Sequence, residues 1–201
     1  MLSVSTALAR LRDGLSEPFP DSPGTRIIDI AFPLNDAFDP LLWCGQQPQW
    51  PQFYWQQRNG DEEMAALGAV KSFPSLDAAN RFLHQAGRQD LRICGLNAFA
   101  PQQGRLVLPR LEWRRCGGRA VMRLVLHSDL SLRDDAVTAR DFLASLTTAQ
   151  ATPCGVPPLL SERHSSDYPL WQAMIDLATQ AIAAGDMDKV VLARATDLQF
   201  A

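Results

Sequence analysis

Asn59-Gly60-Asp61 lies between two runs, 53–57 and 64–70, built of aromatic and apolar residues, and this feature restricts the fold of the chain most tightly. Asn-Gly favours the positive backbone angles of a tight reversal, so the two runs are expected to pair as an antiparallel hairpin. A lone hairpin is marginal in water and needs more strands and an apolar cover. The sequence offers both. Strand-like runs recur at 26–32, at 91–99, and at 105–115 with 119–127, the last two meeting across Gly117-Gly118. Ser75 is a plausible helix N-cap before Leu76, Ala79, Phe82 and Leu83, whose spacing predicts a short helix over 75–84. Leu132, Ala136, Ala139, Leu143 and Leu146 predict another within 129–147, and Val4, Leu8, Leu11 and Leu15 one at the N-terminus. Pro-rich loops are expected at 18–23 and again, with aromatic residues, after 32. The order strand, hairpin, helix, strand, hairpin, helix reads as an α+β fold with a largely antiparallel sheet and helices packed on one side.

The segment 148–165 is rich in Pro, Ser, Thr and Gly and reads as a linker, which leaves 1–147 as an N-terminal α+β sheet region and 166–201 as a second piece. Over 166–184, Leu170, Trp171, Met174, Ile175, Leu177, Ala178, Ala181 and Ile182 recur at helical spacing on one face. Gly185 is placed to close that helix in the left-handed conformation. Val190-Val191-Leu192-Ala193 then reads as a buried strand, with Lys189 at the handover from helix to strand.

Composition bounds what such a chain does. With 201 residues, 46% of them hydrophobic and 20% charged, it can bury a real core. A net charge of −3 provides no long-range attraction for nucleic acid or anionic lipid, so neither is an expected partner. The N-terminal apolar residues are spaced as an amphipathic helix, not as a signal-peptide core, and no run of about eighteen apolar residues suits a membrane span. A cytoplasmic setting is therefore expected. Cys44, Cys94, Cys116 and Cys154 are too far apart for zinc spacing or a dense disulfide scaffold and read as buried free thiols. His84, His127 and His164 are equally scattered, and His84, near Arg81 and Arg88, suits a solvated helix face. Adjacent strand residues point to opposite faces, so Glu62 and Glu63 read as surface charges of the hairpin and not as a metal pair.

Lys189-Val190-Val191-Leu192-Ala193-Arg194 resembles the opening of the catalytic domain of the chorismate-binding enzymes, the family of isochorismate, salicylate, anthranilate and aminodeoxychorismate synthases. Phe53-Tyr54-Trp55-Gln56-Gln57, Gly68-Ala69-Val70, Gly95-Leu96-Asn97-Ala98-Phe99 and Leu106-Val107-Leu108-Pro109-Arg110-Leu111-Glu112 are similar to the N-terminal part of isochorismate synthases of the menaquinone-pathway type. The resemblance runs along nearly the whole chain and implies that it is the N-terminal portion only, with 166–201 the first helix and strand of a truncated chorismate-binding domain.

That resemblance implies an isomerase that adds water to chorismate and yields isochorismate, with Mg²⁺ as cofactor. It also implies that Lys189 is the general base that activates water, since ammonia-using members typically carry glutamine there. A free lysine, with a pKa near 10.4, is a poor base at neutral pH and would need desolvation or a neighbouring cation. The apolar neighbours offer the first route; Asp186 and Asp188 would oppose it unless alternation turns Asp188 away. Arg194 reads as a structural ion-pair partner and is not expected to be catalytic. The general acid and the Mg²⁺ ligands are expected in the portion beyond this chain, so the fragment alone is expected to be inactive. Two other readings stand beside this one. A salicylate synthase would use the same lysine and go on to eliminate pyruvate. A non-catalytic folding or interaction module would dock through the apolar face of 190–200.

Overall fold

The computed structural model describes residues 4–33, 38–87, 90–99, 104–116, 118–148 and 155–201, with the Cys116 side chain excepted. Two compact units divide the chain, Met1–Thr152 and Pro153–Ala201. Among the described residues the first is a six-stranded antiparallel sheet with four helices. Its strands are β1 (Gly24–Pro33), β2 (Gln52–Gln56), β3 (Glu62–Phe73), β4 (Cys94–Asn97), β5 (Gly104–Cys116) and β6 (Arg119–Ser128). They run in the order β1-β6-β5-β3-β2, with β4 pairing the free part of β5.

Both expected hairpins form. β2 pairs β3 from Gln52↔Leu67 to Gln56↔Glu63, and β5 pairs β6 up to Cys116↔Arg119. Gly60 takes φ 80° and donates to the Gln57 carbonyl at 2.8 Å, whereas no non-glycine residue among those described has a positive φ. The reversal is therefore a wider loop with glycine alone in the left-handed region, not the two-residue turn that needs positive φ at Asn as well. Gly117 lies outside the described residues. β4 is shorter than the expected 91–99, and 100–103 lie outside the described residues.

Helices α1 (Val4–Gly14), α2 (Pro40–Gly45) and α4 (Leu132–Ser145) cover one face of this sheet. Leu8, Leu11, Trp43, Leu67, Leu111, Met122, Leu124 and Leu143 are fully buried between them, each contributing about 1.5–3 kcal/mol through removal from water. α2 falls in a segment expected to be loop. Pro40 is its first residue, where a missing N–H costs nothing, and the Asp39 carboxylate caps it by accepting from the Leu42 N–H at 2.9 Å. α3 (Leu76–Ala86) differs from the expected one-sided cover. It lies against the opposite face, where Ala79 and Phe82 pack with Phe73, Leu108 and Val125. The Ser75 hydroxyl caps it as expected, accepting from the Ala78 N–H at 3.3 Å.

The second unit is a two-stranded antiparallel ribbon, β7 (Leu159–His164) with β8 (Thr196–Phe200), and helix α5 (Tyr168–Ala184). Here two expectations are corrected. Leu159–His164 is a strand although 148–165 reads as linker, because Thr196–Phe200 supplies the ladder that its composition does not announce. Residues 149–154 lie outside the described residues. The run Val190-Val191-Leu192-Ala193 is neither strand nor buried: it is irregular, with Val191 79% exposed. A strand exists only where a ladder partner exists, and among the described residues none pairs with 190–193. α5 begins at an Asp167 cap and contains no buried residue, so its apolar spacing forms the helix without burying a face.

Candidate functional site

Lys189 follows a well-defined helix end. Gly185 takes φ 78°, its N–H donates to the Ile182 carbonyl at 3.1 Å, and the Asp186 N–H donates to the Ala181 carbonyl at 3.0 Å. This paired closure ends α5 where the glycine predicts, and delivers Asp186, Asp188 and Lys189 into an irregular, exposed segment. No β-alternation separates Asp188 from Lys189, because no strand begins there. The Lys189 side chain makes no hydrogen bond or ion pair among the described residues, and the apolar neighbours Val190 and Val191 are themselves exposed. The desolvated environment that base chemistry demands is not contributed by the surfaces of this unit. Among the described residues Arg194 does not form the expected ion pair; its guanidinium stands 6.0 Å from the centroid of the Trp171 ring, a cation–π contact.

A row of buried charge lies in the first unit, on the face of the sheet opposite α1 and α4. Asp29, Arg123 and Glu112 are cross-strand partners in one row over β1, β6 and β5. Arg123 donates to both oxygens of Asp29 at 2.8 and 2.7 Å and to the Asp90 carbonyl at 2.6 Å. Glu112 is fully buried, its nearest cation Arg114 Nε at 3.5 Å, and neither carboxylate oxygen accepts a hydrogen bond. Burial pushes its carboxyl up to about 7 against the opposing pull of Arg114, Arg123 and Arg92. Burial, reinforced by the charge of Glu112, pushes the Cys94 thiol up to about 12, so it stays protonated and is no nucleophile. With no exposed atom, Glu112 cannot touch a substrate, and the row is a structural feature of the sheet.

In the sequence Glu112 stands out only as the last residue of the run 106–112. The signal for its burial was a carboxylate between Leu111 and Trp113 on a central strand, opposite an arginine. Glu62 and Glu63 do point to opposite faces, but Glu63 is not a surface charge: it is buried, accepting from the Tyr54 hydroxyl at 2.7 Å and pairing with Arg115 at 2.9 Å. The aromatic hydroxyl and the guanidinium together make that burial affordable. Cys44 and Cys94 are the buried free thiols expected, Cys154 lies outside the described residues, and His84 is exposed. Arg88 lies outside them as well. Among the described residues no three His, Cys, Asp or Glu side chains converge to hold a metal ion. No helix among them is long and apolar enough to cross a membrane.

The family model for chorismate binding enzymes matches residues 96–201. Isochorismate synthase MenF of Escherichia coli (strain K12) is 55% identical over 202 residues, covering 100% of this chain and 47% of that protein. Isochorismate synthase MenF of Haemophilus influenzae is 29% identical over 161 residues, covering 80% of this chain and 36% of that protein. The solved structure of MenF, the menaquinone-specific isochorismate synthase from Escherichia coli, superposes with a TM-score of 0.83 at 55% identity, covering 98% of this chain and 46% of that one. The chain thus spans about half the length of the curated relatives it matches.

Proposed function

This chain belongs to the family of chorismate-binding enzymes, and on that premise we propose that it is the N-terminal part of an isochorismate synthase, an isomerase acting on chorismate in the cytoplasm. The observation that carries the reading is an identity of 55% over the whole length of the chain. The work of this part is architectural. A sheet whose one face is sealed by α1, α2 and α4 supplies a rigid body, and α5 with its glycine closure delivers Lys189 at a defined point beyond the helix.

In this proposal Lys189 is the general base. It takes a proton from water as the oxygen attacks the ring of chorismate, while an acid elsewhere protonates the departing hydroxyl. The exposed surroundings of Lys189 fit that role only when further protein covers them, since an amine in water holds its proton too tightly to serve at neutral pH. Mg²⁺ belongs to the same reading, but the described residues offer it no ligand set. We place its ligands and the acid in sequence that the longer relatives possess and this chain does not contain. The chain alone is accordingly proposed to be inactive, because one base without acid, metal and enclosing walls stabilises the transition state very little.

The test is a chimera of this chain joined to the remaining sequence of the Escherichia coli relative, assayed for isochorismate by chromatography with chorismate and Mg²⁺. Turnover is expected from the chimera and none from the 201-residue chain. Lys189→Ala in the chimera is expected to lower kcat by about a hundredfold or more, the usual worth of a general base. Full activity of a folded Lys189→Ala chimera would remove the base assignment, and turnover by the chain alone would remove the claim of inactivity.

A further inference from the structure

A cleft of about 530 Å³ opens in the first unit between α3 and the sheet, well apart from the Glu112 row. Its floor is a polar cluster. Thr25 and His127 are directly paired across β1 and β6, and the Thr25 hydroxyl lies 2.8 Å from His127 Nδ1. His127 Nε2 lies 3.2 Å from Lys71 Nζ, which in turn donates to the Asp129 carboxylate at 2.6 and 2.8 Å. His127 Nε2 also lies 3.3 Å from Asp129 Oδ1, so it accepts from the Lys71 ammonium in the tautomer that carries its proton on Nδ1, facing Thr25, and donates to the carboxylate in the other. Burial first, and then the charge of Lys71, hold the imidazole below its ordinary pKa, which keeps it neutral at pH 7. Phe82 of α3 sets its ring edge-on to His127 at 5.0 Å between centroids and closes the apolar side of the cleft with Phe73 and Pro74.

Three observations separate this cleft from an ordinary surface salt bridge. The ladder between β3 and β5 shifts register between Ala69 and Lys71, and such a bulge re-aims the side chain that follows it. Arg81 also lines the cleft, and it has no ion pair among the described residues, so two cations face a single carboxylate. That carboxylate, Asp129, is 75% exposed and, among the described residues, tethered only by Lys71 and His127, whereas Lys71 is 27% exposed and His127 9%. Lys71 is held by the fold and Arg81 stands exposed on α3 at the cleft; the anion is an exposed stand-in that a ligand could displace at little cost.

We propose that this cleft binds a small organic carboxylate, whose charged group replaces Asp129 between Lys71 and Arg81 while its apolar body lies against Phe82. The volume lies within the usual range for small-molecule sites, about 300–1,000 Å³, and the lining has their character, an apolar wall with a few convergent polar groups. The site stands on the first unit alone and does not rest on the catalytic reading above.

Benzoate is the probe, titrated into the 201-residue chain while the ring resonances of its three histidines are followed by NMR, with His127 identified by its loss in His127→Gln. A saturable shift at His127, absent at His84 and His164, is expected. Benzyl alcohol should produce none. Arg81→Gln and Lys71→Gln should each weaken benzoate about tenfold, while Asp129→Asn should tighten it several-fold, because the competing carboxylate is gone. Asp129 is exposed, so its variant folds even if the Lys71 variant does not, and it decides the matter. Absence of saturation at His127, equal shifts at all three histidines, inorganic phosphate binding as well as benzoate, or weaker binding by Asp129→Asn would each overturn the proposal.

Discussion

Glu112→Gln tests whether burial or the neighbouring arginines govern the one fully buried carboxylate among the described residues. Glu112 has no exposed surface, and burial raises it from an ordinary 4.5 to about 7. At about 1.4 kcal/mol per unit, that displacement corresponds to a contribution of about 3 kcal/mol. The sign follows from proton counting. Between the two values the folded chain holds a proton that the unfolded chain has released, so stability is greatest below the unfolded value and falls as pH rises toward about 7. Gln keeps the shape and never ionises, so the variant lacks this loss. Urea denaturation followed by tryptophan fluorescence at pH 5 and pH 8 should find the two proteins similar at the lower pH. At the higher pH the variant should be more stable, by up to about 3 kcal/mol. His127 is depressed by burial and contributes the opposite slope, with stability gained as pH rises, but it is common to both proteins and cancels in their difference. A difference that is the same at both pH values would refute the argument. A variant less stable at pH 8 would show that attraction to Arg114 and Arg123 outweighs desolvation and that the carboxylate is ionised in the folded state.

Two further substitutions probe how the sheet holds its helical cover. Gly68 has φ 66°, and an added Cβ would stand 2.6 Å from the Phe142 ring of α4, so Gly68→Ala should lower stability by about 2 kcal/mol or more; an unchanged urea midpoint would mean the ring yields freely. Asp135 of α4 binds Arg110 bidentately at 2.6 and 2.7 Å, with the arginine side chain only 5% exposed. Asp135→Asn leaves that guanidinium without its counter-charge and should cost about 3–5 kcal/mol in the same assay; a loss below about 1 kcal/mol would show that solvent reaches the pair.

Much of the first unit could be read from local chemistry. Asn59-Gly60 and Gly117-Gly118 announce reversals because only such residues relieve the sterics of a tight turn, and Ser75 announces a helix start because its hydroxyl satisfies an orphaned N–H. Gly185 likewise marks the end of α5. Where the reading failed, the missing information was a partner. Pro40 looks like a loop residue until Asp39 is seen capping the helix. Glu63 looks like a surface charge until Tyr54 and Arg115 close over it. Val190–Ala193 looks like a strand, yet no ladder is offered to it, while the polar Leu159–His164 becomes one because Thr196–Phe200 lies alongside. The candidate site divides the same way. The family, the identity of Lys189 and its place just past a helix end follow from the residues themselves, whereas its exposure follows from what packs around it.

The amino-acid order alone determined where the chain turns, where α1, α3 and α4 lie and which residues are apolar enough to seek a core, because these depend on the sterics and hydrogen bonding of a few neighbouring residues. The tertiary structure decided the rest: which face α3 covers, that Glu112 is stripped of water, and that Lys71, Arg81 and His127 meet around one cleft. Those outcomes depend on distances between residues far apart in the chain, and the burial and electrostatic fields that give such groups their chemistry exist only once those distances are set.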